Sequence, residues 1–267
     1  MIRAIPLLSI LVITIVFAGC EKVVNARLLG TEKKYVIEGN VINDDTCRVR
    51  ISTTSNFGDS NSFRGFTGAL VQISDNGGAP IHLPEVTTGV YETLVLKGIP
   101  GHTYQLKVTI DDGVYTASCT MPQQVNLDTL FTSRMAFAGR TQYIANVVYN
   151  DPLAITNYYN FVEYVNEEQM ADVFVNSDNL SNGRTVQFSL YTPTELQVDD
   201  HIQQGDTVRV EMQCIDADVY KFWYSLNTSA SGSGVLATPA NPVSNITGGA
   251  LGYFSAHTAQ SKTFIVK

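Results

Sequence analysis

The chain has 267 residues, of which 44% are hydrophobic and only 16% charged, and its net charge is −8. That is enough apolar material for one large core or two ordinary ones without disulfide staples, and too much for a disordered segment. A nucleic-acid binder needs a basic face to neutralise phosphates, and this acidic composition supplies none.

Met1 to Cys20 reads as a secretory leader. Arg3 is the sole charge before Glu21, and an apolar run of Ile, Leu, Val and Phe extends to Phe17. The run has the length of a signal core and is short for a bilayer span. It ends in Phe17-Ala18-Gly19-Cys20, which resembles a bacterial lipobox with Phe where Leu is usual. The resemblance implies cleavage of residues 1–19 and acylation of Cys20, and each buried methylene of such an anchor contributes about 0.8 kcal/mol. Residues 20–33 lack a clear period and read as a tether. Losing Arg3 makes the mature chain one unit more negative, so the lipid rather than surface charge would hold it to a membrane.

From Tyr35 the hydrophobic period is two. Tyr35, Ile37, Gly39 and Val41 share one strand face, and Ala69, Val71 and Ile73 share another. Tyr104, Leu106, Val108 and Ile110 alternate with polar residues, as a half-buried antiparallel strand requires. Asp111-Asp112-Gly113 supplies a tight turn and Val114–Thr120 the return strand, stopped at Met121-Pro122. Seven short strands over residues 34–122 predict an Ig-like or prealbumin-like β-sandwich.

Residues 123–267 predict a second β-rich domain. A hairpin over 125–137 and 141–150 turns at Ala138-Gly139-Arg140, and strands follow near 158–165, 172–176, 185–191 and 207–214. One helix is expected after Asp216, because Val219, Phe222, Trp223 and Leu226 fall at helical spacing behind a capping residue. That spacing gives Trp223 a packing role. Ser229 to Gly234 reads as a flexible stretch, and the Gly-rich tail from Asn245 leads to a last strand at Phe264-Ile265-Val266.

Cys20 apart, three cysteines remain: Cys47, Cys119 and Cys214. Each lies on the apolar register of a predicted strand, so three inert buried thiols is the simpler reading. An envelope location also permits a Cys47–Cys119 bridge. No Cys/His spacing suits zinc, and Asp-rich loops (Asp44-Asp45, Asp111-Asp112, Asp199-Asp200) read as turns rather than calcium loops. His82, His102, His201 and His257 are scattered and read as surface or turn residues. Gly58-Asp59-Ser60 resembles the start of a GDSL-hydrolase motif, but Asn61 follows and the flanks form a polar loop, so the match reads as chance. No nucleophile elbow, zinc-protease or phosphate-loop pattern is present, and the chain is expected to be non-catalytic and without a cofactor.

Two aromatic sets could contact a ligand. Tyr158 and Tyr159 lie on a predicted strand, where core packing is the ordinary role. Phe57, Phe63 and Phe66, with Arg64, lie in a long loop over 54–66, and long loops in a compact sandwich often carry function.

The segments Tyr35-Val36-Ile37-Glu38-Gly39, Gly101-His102-Thr103-Tyr104-Gln105-Leu106-Lys107-Val108, Met121-Pro122, Asp218-Val219-Tyr220-Lys221-Phe222-Trp223 and Asn245-Ile246-Thr247-Gly248-Gly249-Ala250-Leu251-Gly252-Tyr253-Phe254 occur in that order behind a lipobox. Together they resemble Bacteroidetes lipoproteins carrying domain of unknown function 4249, across essentially the whole chain. The resemblance implies an outer-membrane lipoprotein, anchored by Cys20, that assists a TonB-dependent receptor in nutrient uptake. It carries over no catalytic residue. The other expectation open at this point is a surface adhesin or structural scaffold. The Asn245–Phe254 run would be either a binding feature or, more simply, Gly-rich backbone packed at a sheet end.

Overall fold

In the computed structural model, which describes residues 33–55, 64–137, 140–153, 155–191, 202–230 and 241–267, the period-two segments fold as strands. The described residues belong to one unit. The first half supplies β1 (Tyr35–Ile42), β2 (Cys47–Thr53), β3 (Leu70–Asp75), β4 (Ile81–Leu83), β5 (Glu85–Thr87), β6 (Val90–Thr93), β7 (Thr103–Ile110) and β8 (Gly113–Thr120). The described residues hold eight strands here rather than seven, and β4 and β5 are three-residue strands too short to show a period. The β7–β8 turn forms where expected, with Asp111 at a positive φ of 49°.

The second half supplies β9 (Leu127–Phe137), β10 (Arg140–Asn150), β11 (Tyr158–Val165), β12 (Glu168–Gln169), β13 (Phe174–Ser177), β14 (Thr185–Leu190) and β15 (Thr207–Ile215), then helix α1 (Ala217–Ala230) and β16 (Leu251–Ile265). Asp216 caps α1 as predicted: the Val219 backbone N–H donates to its Oδ1 at 2.9 Å. The helix runs on through Ser229, where a flexible stretch was expected. Its interior lacks Gly and Pro, and nothing local stops it there.

Three sheets result. The largest has nine strands and runs β12-β11-β15-β16-β1-β2-β6-β5, with β13 also paired to β11; the others are β4-β3-β7-β8 and β14-β10-β9. The expected mainly β, sandwich-like fold with one packed helix is what forms. The long sheet crosses the boundary expected at residue 122, because β16 pairs in parallel with β1, Val36 opposite Leu251 through Ile42 opposite His257.

The long sheet buries one face against both small sheets. Between the long sheet and β3, β7 and β8 lie Ile37, Val41, Val49, Tyr91 and Phe254 of the long sheet and Leu106 of β7, all at most 1% exposed. Between the long sheet and β9, β10 and β14 lie Val147 and Tyr149 of β10, with Tyr159, Phe161, Val210 and Met212 of the long sheet. There are thus two cores, and the first also takes in Ile215, Val219, Ile246, Ala250, Phe254 and Ala256 from the second half of the chain. The 15-residue β16 is the largest departure from the sequence reading, which expected a short strand at 264–266. Its centre, Phe254 to Thr258, is buried at five consecutive positions, so the alternation that marks a strand is missing.

Gly252 is what allows β16 to approach β1. It sits at φ 99°, and a Cβ there would lie 2.0 Å from the Ile37 carbonyl oxygen. Asn245 holds the entry to the strand: its side-chain amide donates to the Phe254 carbonyl at 2.8 Å, and its Oδ1 accepts the Phe254 N–H at 2.9 Å. Backbone packing therefore accounts for most of the Asn245–Phe254 run.

Cys47, Cys119 and Cys214 are buried free thiols, as the simpler reading expected, and no Cys47–Cys119 bridge forms. Burial pushes the Cys47 thiol up to about 12 and raises the other two as well, so none is a nucleophile at neutral pH. Cys119 and Cys214 serve as weak acceptors instead, taking the Ala256 N–H at 3.0 Å and the Val125 N–H at 3.3 Å.

Candidate functional site

Side chains alternate along a strand, so residues next to the core-facing ones on β1, β16, β15 and β11 point to the opposite face of the long sheet. On this face lie Asn40, Tyr253, Ser255, His257, Gln213 and Asn160. They floor a cleft of about 280 Å³. One wall is the β12–β13 connection, Met170 to Val173, and another is Trp223 on α1. The helix reaches this position because it packs on β11, β13 and β16.

The floor is polar but partly dry. His257 is 2% exposed and Ser255 2%. The Ser255 hydroxyl lies 2.9 Å from His257 Nδ1. His257 Nε2 has no hydrogen-bond partner among the described residues. Burial lowers the ring to about 4, so it is neutral at physiological pH. A neutral ring offers one donor and one acceptor, and Nε2, closed off from solvent within the cleft lining, is left without a partner. Beside it, Asn160 Nδ2 donates to Gln213 Oε1 at 2.8 Å, and Gln213 Nε2 donates to Glu211 Oε1 at 2.7 Å. This relay fixes both amides and leaves the Asn160 carbonyl oxygen on the cleft side of the pair.

The aromatic wall is equally fixed. The Tyr253 ring packs 4.9 Å from Phe222 and 5.0 Å from Trp223, centroid to centroid. Its hydroxyl meets Asn40 Nδ2 at 3.5 Å, and burial pushes the phenol up to about 12, so it keeps its proton as a donor. Tyr164, at the far end, lies under the Arg209 guanidinium, 3.5 Å from the ring centre. Trp223 has the packing role expected of it, half-buried against the first core, and it also lines the cleft.

The residues singled out from sequence fall elsewhere. Cys20 and the leader, Phe57, Phe63, Ser60 and His201 lie outside the described residues. Arg64 is exposed. Phe66 is half-buried against the first core, with its ring 5.0 Å from Tyr35, and its carbonyl accepts the Tyr91 hydroxyl at 3.1 Å. That makes Phe66 a packing residue on the core side of the sheet. Tyr159 is fully buried and donates to Asp151, and Tyr158 packs on Tyr220 at 4.9 Å. His102 pairs with Asp75 at 2.7 Å near the surface, and His82 is exposed on β4. His257 corrects the expectation of surface histidines, because the strand that buries it went unread. The signal was present in the polar alternation of Tyr253, Ser255 and His257, but it overlaps the apolar alternation of Phe254 and Ala256.

Among the described residues, no group of His, Cys, Asp or Glu is placed to hold a metal ion, and no helix is long and apolar enough to cross a membrane. Comparison with protein families matches residues 22–263 to the family described as Domain of unknown function (DUF4249). No curated protein matches the chain.

Proposed function

The chain belongs to the DUF4249 family, and on that premise we propose that it is a Bacteroidetes lipoprotein anchored to the outer membrane through Cys20. In this reading it is a non-catalytic binding protein that assists a TonB-dependent transporter in nutrient uptake. The observation that carries the binding role is the cleft. A protein that served only as an adhesive scaffold would gain nothing from a buried polar floor with an unused ring nitrogen, since leaving such a group unsatisfied costs about 1–3 kcal/mol. A site that receives a ligand recovers that cost on binding. The lipobox supports the anchor, and the family resemblance supports the transporter.

The test is gentle detergent extraction of the native envelope, chemical cross-linking, and mass spectrometry of what co-purifies. A stoichiometric TonB-dependent receptor is the expected result. Recovery of the chain alone, or with surface-layer components only, replaces this reading with an adhesive or structural one. Replacing Cys20 with Ala should release the protein from the membrane fraction.

A further inference from the structure

We propose that the cleft binds a small, uncharged saccharide, with one ring face against Trp223 and its hydroxyls bonded to His257 Nε2, the Tyr253 hydroxyl and the Asn160 carbonyl. The proposal rests on the binding-protein reading and names the ligand class for it.

Elimination leads there. Among the described residues no Lys or Arg lines the cleft, and Arg209, stacked over the lining residue Tyr164, is engaged there. An anion would thus give up its hydration for no cationic partner. Among the described residues Asp172 is the only carboxylate in the lining, and it already has an interaction of its own. A cation would therefore find no unengaged counter-charge. A wholly apolar ligand would seal the polar floor away from water without satisfying it. What remains is a neutral molecule with hydrogen-bonding groups on its rim and an apolar face.

A pyranose ring has that form. Its hydroxyls donate and accept, which suits a neutral imidazole nitrogen, a protonated phenol and an amide oxygen at once. Its C–H face packs on an aromatic ring, and Trp223 supplies one beside Tyr253. The volume of about 280 Å³ lies just below the usual range for ligand pockets, which begins near 300 Å³, and limits the occupant to one or two rings. The floor is also preorganised. Asn160 is held by Gln213, His257 by Ser255 and Tyr253 by Phe222, so little side-chain freedom is lost on binding.

The chain contains a single Trp, so intrinsic fluorescence reports on this cleft directly. The full lipoprotein in detergent would be titrated with glucose, galactose, N-acetylglucosamine, maltose and lactose. Glucuronate, glucosamine and cyclohexanol form the counter-panel. The expected result is a saturable change with at least one neutral saccharide and none with the counter-panel. His257→Leu should weaken that binding by about tenfold, and Tyr253→Phe by several-fold. Tyr253→Phe keeps the ring contacts and should melt like the wild type, so it remains informative even where His257→Leu fails to fold. A response confined to the counter-panel, a saccharide response that survives both variants, or silence throughout would each overturn the proposal. Silence while the receptor still co-purifies removes the saccharide and leaves the transport role standing. A bound saccharide with no receptor does the reverse.

Discussion

Tyr253 and Phe254 are neighbours in the chain and opposites in environment. Phe254 is fully buried in an apolar core, with Ala256 behind it and Leu106 across from it. Tyr253 faces a cleft it shares with Ser255 and His257. One strand thus carries the dry face that holds the protein together and the polar face that lines the cleft. Both faces are buried, but the first is built mainly of apolar side chains and the second of polar ones, with His257 Nε2 left without a partner. The difference separates residues kept for stability from residues kept at some cost to it.

The core face should prove the more costly to disturb. Phe254→Ala removes a large ring from the first core and should cost about 4 kcal/mol, measured as a lower denaturant midpoint with an unchanged m-value. A loss below about 1 kcal/mol would mean that the core is looser than its burial implies. Gly252→Ala comes next. The added methyl meets the Ile37 carbonyl in a left-handed backbone conformation, and about 3 kcal/mol should be lost. Hydrogen exchange at β1 and β16 should rise first.

The polar face should announce itself through pH. His257 titrates near 4 in the folded protein and near 6.5 in the unfolded chain. The unfolded state therefore binds the extra proton in that window, and stability falls as pH drops from about 6.5 to about 4. The loss amounts to about 3 kcal/mol, all of it regained above pH 6.5. Denaturant melts across this range should show it, and His257→Leu should flatten the slope. The smallest effect belongs to Tyr253→Phe. It removes only a long 3.5 Å contact with Asn40 and should change stability by less than about 1 kcal/mol. If it proved as damaging as Phe254→Ala, the two faces would not be distinct in kind.

The sequence made the core face legible and hid the other. Ile37, Val41, Leu106 and Val108 alternate with polar neighbours because their strands bury one side, and the β7–β8 hairpin was readable down to its turn. The helix was readable from its cap and its spacing. β16 was not, because a strand buried on both sides loses its period of burial, and Gly, Ser and Ala occupy much of its centre in place of the β-branched residues that normally mark one. Its partner, β1, lies more than two hundred residues away in sequence, and no local pattern encodes a pairing at that distance. The cleft was hidden for the same reason. Asn40, Asn160, Gln213, Trp223 and His257 come from four strands and a helix, and only the register between those elements brings them together. The aromatic loop attracted attention because it was long, yet Phe66 went to the core, where an aromatic next to a strand end ordinarily goes.

The parallel pairing of β1 with β16 also sets the order of events in the life of the chain. β1 leaves the ribosome first, but the strand beside it is made only after everything in between. Until Leu251 to Ile265 arrive, the long sheet stands open along its middle, with the β1 edge unpaired on that side. Such a topology has high contact order and cannot close during synthesis. For a chain read as carrying a secretory leader, this delay has a use. On the proposed export of the chain, the polypeptide would stay loose enough to be threaded through a translocation channel, and its two halves would lock only after β16 has passed.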